Sequence, residues 1–170
     1  IEEHLRYRAE LIVDSIIERG ECDFVLDVAA ELPLQAIAEI MGVPEADRHM
    51  IFDWTNRMIG ADDPEYGDAD SHLDAQTAAA ELYGYAAKLR VDRAEVPLDD
   101  IVTKLINAEI NGDRLTDAEF EMFILLLAVA GNETTRNATA HGMHALMTNP
   151  DQYAKLVADP SLITSAIEEI

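Results

Sequence analysis

Hydrophobic positions recur every three to four residues along most of the chain, which is the spacing of amphipathic helices. Leu5, Ile12 and Ile16 lie on one such face, and Gly20 ends the pattern. Similar patterns predict helices at residues 1–19, 31–41, 44–59, 70–93 and 99–110, with two more that begin at Asn149-Pro150 and Asp159-Pro160. Residues 24–28 allow a short strand or an extended segment before the second helix. The pattern therefore predicts a mainly α fold with little or no sheet.

The longest predicted helix covers about residues 116–148. Its start is specified by Thr116 and Glu119, which fit a capping box in which each side chain satisfies the other residue's free backbone donor. From Met122 to Gly131 the residues are nearly apolar on all sides, which is typical of a buried helix. At 1.5 Å per residue this helix would be roughly 48 Å long. We expect it to be the central, buried helix of the fold.

Both ends of the chain lie inside helical hydrophobic patterns, at Ile1 and at Ile170. No change of composition, linker or repeat divides the sequence between them. We therefore expect residues 1–170 to form a single partial domain, an internal fragment of a larger domain whose N- and C-terminal parts are missing.

Charge and cysteine content narrow the class of protein. Acidic residues number 34 against 12 basic residues, and the net charge of −22 would repel the phosphate groups of nucleic acids and anionic membranes. The longest apolar runs are too short to span a bilayer, so stable membrane insertion is not expected. The single Cys22 excludes an internal disulfide and a multi-cysteine metal site. We expect a cytoplasmic protein.

The predicted central helix contains an unusual polar segment at Ala130–Asn137. Gly131 costs a helix interior about 1 kcal/mol relative to alanine, and Glu133 places a carboxylate beside an apolar stripe. The hydroxyl of Thr134 can bond the carbonyl of Ala130 or Gly131, and such a bond can open the helical ladder. Breaks of this kind are expected at functional sites, where glycine admits a flat ligand and a hydroxyl beside an acid passes protons. The alternative is a helix–helix contact, with Gly131 allowing close packing and Glu133 on a solvated face.

Residues 130–135 have the order small-Gly-x-acid-Thr-Thr, which resembles the oxygen-activation signature of the cytochrome P-450 family. Residues 31–44, 98–102 and 149–152 resemble other helices of soluble bacterial members in the same order along the chain. Residues 166–170 resemble the opening of the family's Glu-x-x-Arg helix, with Glu169 as its glutamate. The sequences of residues 31–44 and 130–137 are most similar to those of actinobacterial members that hydroxylate sterol side chains or branched lipids.

The resemblance implies the central part of a haem-dependent monooxygenase that activates O₂ to hydroxylate a hydrophobic sterol or lipid substrate. Glu133 and Thr134 would be the acid–alcohol pair that delivers protons, and residues 60–67 would belong to a lid over the substrate channel. Haem b would lie against Leu126, Ala130, Gly131, Thr134 and Thr135, and the substrate against Leu126 and Val129. A ferredoxin-type protein would donate electrons. The family's haem-ligating cysteine motif is absent from this sequence, so the fragment alone is expected to be inactive.

Two other functions remain open from the residues. Asp99–Thr103 begins a magnesium-diphosphate motif of helical terpene cyclases, with Asp62-Asp63 as an approximate partner motif, but Asn107 stands where that motif requires glutamate. A non-enzymatic helical ligand-binding module would explain the core but not Gly131, Glu133 and Thr134. His141 and His144 lack a third ligand, so no separate metal site is expected.

Overall fold

The computed structural model describes residues 2–61 and 70–170, and within these ranges the chain is helical and contains no sheet. The helices are α1 (Glu2–Ile17), α2 (Glu31–Ile40), α3 (Arg48–Gly60), α4 (Ser71–Glu95), α5 (Ile101–Asn107), α6 (Asp117–Thr148), α7 (Pro150–Ala158) and α8 (Ile163–Glu169). One isolated antiparallel bridge joins Ile110 and Asp113. The predicted mainly α fold class is confirmed.

Most predicted helix ends shift by only a few residues. Helix α3 begins at Arg48 rather than at residue 44, because a 3₁₀ turn at Glu45–Asp47 precedes it. Helix α5 is shorter than predicted, because Asp100 caps its start and the backbone becomes extended at Ala108. Of the loop predicted at 60–67, Gly60 is the last residue of α3, and residues 62–67 lie outside the described ranges. Among the helices that the structure describes, none has the length and apolar character needed to cross a bilayer.

Residues 24–28 do not form the predicted strand or extended segment. A π-helical turn occupies Val25–Ala29 instead. Asp23 caps this turn, because its Oδ1 accepts hydrogen bonds from the backbone nitrogens of Val25 and Leu26, both at 3.0 Å. A local capping contact therefore outweighs the strand propensity of these apolar residues.

Helix α6 packs against α2, α3 and α4 along one side. Its capping box is present, with Thr116 N donating to Glu119 Oε2 at 2.9 Å and Glu119 N donating to Thr116 Oγ1 at 3.3 Å. The core contact is made by side chains four residues apart, which lie in one row along a helix. This buried row consists of Phe120, Ile124, Ala128 and Asn132.

The long central helix is confirmed, but its burial is confined to that side. Met122 is 62% exposed and Leu126 is 57% exposed, two residues away from members of the buried row. A step of two residues turns the helix by about 200°, so these side chains lie on the opposite surface. An apolar sequence on all sides therefore does not correspond to burial on all sides within the described residues.

A buried ion pair joins α2, α4 and α5. Arg93 Nε pairs with Asp100 Oδ2, and Arg93 Nη2 donates a hydrogen bond to the carbonyl oxygen of Gly42. Asp100 also caps α5, since its Oδ1 accepts from Thr103 N at 2.8 Å. Gly42 has a φ of +69°, which L side chains rarely adopt. The cluster therefore links the end of α2 to α4 and α5.

We predict that this ion pair makes stability depend on pH. Burial raises the pKa of Asp100, but hydrogen bonds from Arg93 and Thr103 outweigh it and hold the pKa below the ordinary 3.8. Because the folded pKa lies below the unfolded one, the contribution is complete above pH about 4 and is lost as the pH falls through the folded pKa. Urea unfolding should show that Asp100→Asn is less stable at neutral pH and loses less stability on acidification.

The matched control is Asp99→Asn, because Asp99 is 93% exposed and pairs with Lys104 at the surface. This variant should keep the acid dependence of the parent. An equal loss of stability on acidification in the parent and in Asp100→Asn would contradict the prediction.

Candidate functional site on helix α6

The exposed surface of α6 carries a second row of side chains at four-residue spacing. This exposed row consists of Met122, Leu126, Ala130 and Thr134. It lies opposite the buried row, and within the described residues no helix covers it. Three of its four members are apolar, so the row presents a narrow apolar surface that ends in one hydroxyl group.

Thr134 bonds back onto its own helix as predicted, since its Oγ1 donates to the carbonyl oxygen of Ala130 at 2.6 Å. Helix α6 nevertheless continues without a break in its α-helical structure from Asp117 to Thr148. The hydroxyl group therefore shares an acceptor with the backbone and does not open the ladder. Its oxygen keeps lone pairs that can accept another proton donor on the exposed surface.

Gly131 lies where α6 approaches α2. A Cβ added at this position would lie 2.9 Å from Ile37 Cδ1 and 3.1 Å from Ile37 Cγ1. Ile37 therefore fills the space that a side chain at residue 131 would need. This contact supports the predicted close packing of two helices, and the predicted contact of Gly131 with a cofactor stays a prediction.

Glu133 is not on a solvated face, because its side chain is only 13% exposed. Its Oε1 pairs with Arg136 Nη2 and accepts a hydrogen bond from Asn137 Nδ2 at 3.2 Å. Its Oε2 is buried and has no hydrogen-bond partner within residues 2–61 and 70–170. A buried carboxylate oxygen without a donor is costly, which indicates a group kept available for chemistry or for a bound water.

The remaining predicted residues occupy different surroundings. Val129 is half-buried, whereas Thr135 is exposed one position beyond the exposed row. His141 and His144 are both exposed, and the described residues contain no group of three or more side chains suited to a metal ion. Cys22 is exposed and precedes the π-helical turn rather than lying on α6.

Sequence reasoning missed Arg136 and Asn56. Arg136 Nη1 donates to Asn56 Oδ1 of α3 at 2.7 Å, while Nη2 of the same side chain holds Glu133. Glu133 and Arg136 line a cleft of about 500 Å³ between the π-helical turn, α3, the start of α4 and α6. The spacing of three residues between Glu133 and Arg136 was a usable signal for an ion pair on one helix.

The magnesium-diphosphate interpretation is not supported by the positions of Asp99 and Asp100. Asp99 pairs with Lys104 at the surface, at 2.9 Å, whereas Asp100 is buried against Arg93. Their carboxylates are therefore committed to different cations and do not present a shared metal site. Asp62 and Asp63 lie outside the described residues.

Comparisons with known proteins agree on one family. A family model described as Cytochrome P450 matches residues 24–161. Steroid C26-monooxygenase of Rhodococcus jostii is 53% identical over 153 residues, which cover 90% of this chain and 31% of the relative. Methyl-branched lipid omega-hydroxylase of Mycobacterium bovis is 41% identical, covering 100% of this chain and 40% of the relative.

The fold agrees as well. A solved structure of a Mycobacterium marinum cytochrome P450 in complex with pseudoionone has a TM-score of 0.88 and 38% identity, and covers 95% of this chain and 39% of that one. The chain spans between 31% and 40% of the length of these curated relatives.

Proposed function

Because the chain belongs to the cytochrome P450 family, we propose that it supplies the oxygen-activating helix of a haem-dependent monooxygenase that hydroxylates a hydrophobic substrate. The observation that carries the proposal is the arrangement on α6, where the half-buried Glu133 adjoins Thr134 at the end of the exposed apolar row. A carboxylic acid on the cleft side of α6 and a hydroxyl group on its exposed row could together transfer a proton from one side of the helix to the other.

Haem suits the exposed row because three of its four side chains are apolar and uncovered among the described residues. Ala130 has only a methyl group, so a ring can approach the backbone closely there, and Leu126 adds apolar contact. The residues proposed to hold haem are Leu126, Ala130, Gly131, Thr134 and Thr135, and those proposed to border the substrate are Leu126 and Val129. Bound haem would supply the iron at which O₂ is activated. The single cysteine of the sequence, Cys22, stands outside the family's cysteine motif, so these residues would not supply the thiolate ligand.

Glu133 and Thr134 would act as the proton-transfer pair of this site. The Glu133 side chain lines the cleft, and its Oε2, which has no donor among the described residues, would take the proton. Thr134 Oγ1 can accept that proton and release its own toward the exposed row. Proton transfer by a positioned side chain typically contributes about 10²–10⁴ in rate, so losing either group should matter more for product than for folding.

The substrate class that we propose is a sterol side chain or a methyl-branched lipid, since the relatives carry the names steroid C26-monooxygenase and methyl-branched lipid omega-hydroxylase. We also propose a ferredoxin-type protein as the electron donor. Membership of the P450 family supports a hydrophobic substrate and a redox partner, and the proposal names the class of each.

The test uses the haem-loaded protein that contains this chain. With ferredoxin and its reductase as electron source, cholestenone or phytanic acid should give a type-I spectral shift and a hydroxylated product. A macrolide and a terpene serve as matched hydrophobic controls and should give neither. Shifts with the macrolide or terpene alone would overturn the substrate class.

A further inference from the structure

The contacts of the Glu133 carboxylate are unequal between its two oxygens. Oε1 receives Arg136 Nη2 and Asn137 Nδ2, whereas Oε2 is buried without a donor. The two oxygens of a carboxylate are chemically equivalent, so the positions of the surrounding donors decide which oxygen is bonded and which is left over. Arg136 is the charged partner that can do this.

Arg136 is itself held by a residue of another helix. Its Nη1 donates to Asn56 Oδ1 on α3 at 2.7 Å, and its Nη2 pairs with Glu133. Since the guanidinium group is planar and rigid, fixing one nitrogen fixes the direction of the other. Asn56 therefore orients the nitrogen that meets Glu133.

The position of Asn56 relative to α6 is also specified. One turn before Arg136, the buried side chain of Asn132 donates from Nδ2 to Thr55 Oγ1 at 3.3 Å. Thr55 and Asn56 are adjacent on α3, so two polar contacts four residues apart on α6 meet neighbouring residues of α3. This pair of contacts sets the register of the two helices at Glu133.

Burial makes the ion pair effective. The side chains of Arg136 and Glu133 are 17% and 13% exposed, so solvent and salt screen their attraction less than at an open surface. A buried pair that loses one partner leaves an uncompensated charge, and that charge then turns toward water. Removing Arg136 should therefore move the Glu133 carboxylate out toward the cleft.

We infer that Arg136, anchored by Asn56, is a positioning residue that holds Glu133 Oε1 and leaves Oε2 as the oxygen that takes and gives the proton. The inference rests on the proposed function of Glu133 as the acid of the site. Arg136 itself touches neither a reacting atom nor the exposed row. It acts through the orientation of its neighbour.

The first test measures that orientation without turnover. The haem-loaded protein is treated with a water-soluble carbodiimide and an amine, and modification of Glu133 is followed by mass spectrometry. Arg136→Gln and Asn56→Leu should each increase the rate of Glu133 modification, by about tenfold for the arginine variant, as expected on loss of a charged hydrogen bond. Arg136→Lys should give an intermediate modification rate of Glu133, because an ammonium group lacks the two fixed donor directions with which the guanidinium group bonds Glu133 and Asn56.

The matched control is Arg57→Gln. Arg57 lines the same cleft, but it pairs with Asp53, Asp74 and Glu81 and makes no contact with Glu133. This variant should leave the modification rate of Glu133 unchanged. A circular dichroism spectrum identical to the parent's would exclude unfolding as the cause of faster modification. Unchanged rates in both Arg136→Gln and Asn56→Leu would overturn the positioning role.

The second test separates this inference from the function on which it rests. Product formed per O₂ consumed and its pH profile are measured for Glu133→Gln, Arg136→Gln and Arg136→Lys. The inference requires that Glu133→Gln lowers this ratio, that Arg136→Gln lowers it as well, and that lysine restores part of it. A normal ratio in Glu133→Gln would overturn the acid role, whereas a low ratio there with a normal ratio in Arg136→Gln would overturn the positioning role alone.

Discussion

Gly42→Ala is expected to lower the free energy of unfolding by roughly 4–6 kcal/mol, the sum of a left-handed backbone penalty and a disrupted buried ion pair. Gly42 has a φ of +69°, and an added Cβ would overlap Asp100 Oδ2 and lie 2.9 Å from Arg93 Nη2. Neither side chain can move aside easily, because Asp100 caps α5 and Arg93 donates a hydrogen bond to the Gly42 carbonyl. Urea unfolding followed by circular dichroism measures the change.

The control for the backbone part is Gly20→Ala. Gly20 has a similar φ of +78°, but no atom lies within 4 Å of its added Cβ. This variant should lose only about 1–2 kcal/mol. In the Asp100→Ala background the increment caused by Gly42→Ala should fall to a similar value, because the overlapping carboxylate is gone. Equal losses for Gly42→Ala and Gly20→Ala would contradict the role assigned to the ion pair.

Thr134→Ala is expected to reduce the product formed per O₂ consumed by about tenfold or more in the haem-loaded protein, while O₂ consumption continues. The hydroxyl group is the one polar function of the exposed row, and it is the group to which the proposed function assigns proton transfer from Glu133. Under the proposed function, loss of this hydroxyl would interrupt proton delivery and so uncouple O₂ consumption from product formation. An oxygen electrode with product quantification measures both quantities.

Two variants test whether the hydroxyl or the packing matters. Thr134→Ser keeps the hydroxyl and should retain most of the coupling between O₂ consumption and product. Thr139→Ala removes the same kind of back-bond, since Thr139 Oγ1 donates to the Thr135 carbonyl at 2.8 Å on the exposed surface of α6. This change should leave coupling intact. A Thr134→Ala protein with normal coupling but reduced stability would support a structural role and contradict the proton-transfer role.

Helix positions and the backbone bond of Thr134 could be predicted because their signals are local. The start of α6 depends on Thr116 and Glu119, which are three residues apart and satisfy each other in the structure as the capping pattern predicts. The bond from Thr134 to Ala130 likewise spans one helical turn. Family membership was also predictable, since the motif at residues 130–135 lies within residues 24–161, which the family model matches.

The π-helical turn at Val25–Ala29 shows where local reasoning was wrong. Apolar residues such as Val25, Leu26 and Val28 suit a strand by propensity, and no periodicity opposes that interpretation. The deciding group was the Asp23 carboxylate, which binds two backbone nitrogens. A single capping side chain outweighed the average preference of five residues.

The sequence by itself determined that the chain is helical, where α6 begins, and which residues of α6 carry polar chemistry. Only the tertiary structure decided which surface of α6 is buried, because residues 122–131 are apolar all round and periodicity cannot choose a side. It also decided that Gly131 packs against Ile37 and that Arg136 donates a hydrogen bond to Asn56, which is 80 residues away in the sequence. Contacts at that separation depend on how helices pack, since hydrophobic burial specifies that surfaces meet but not which residues along them do.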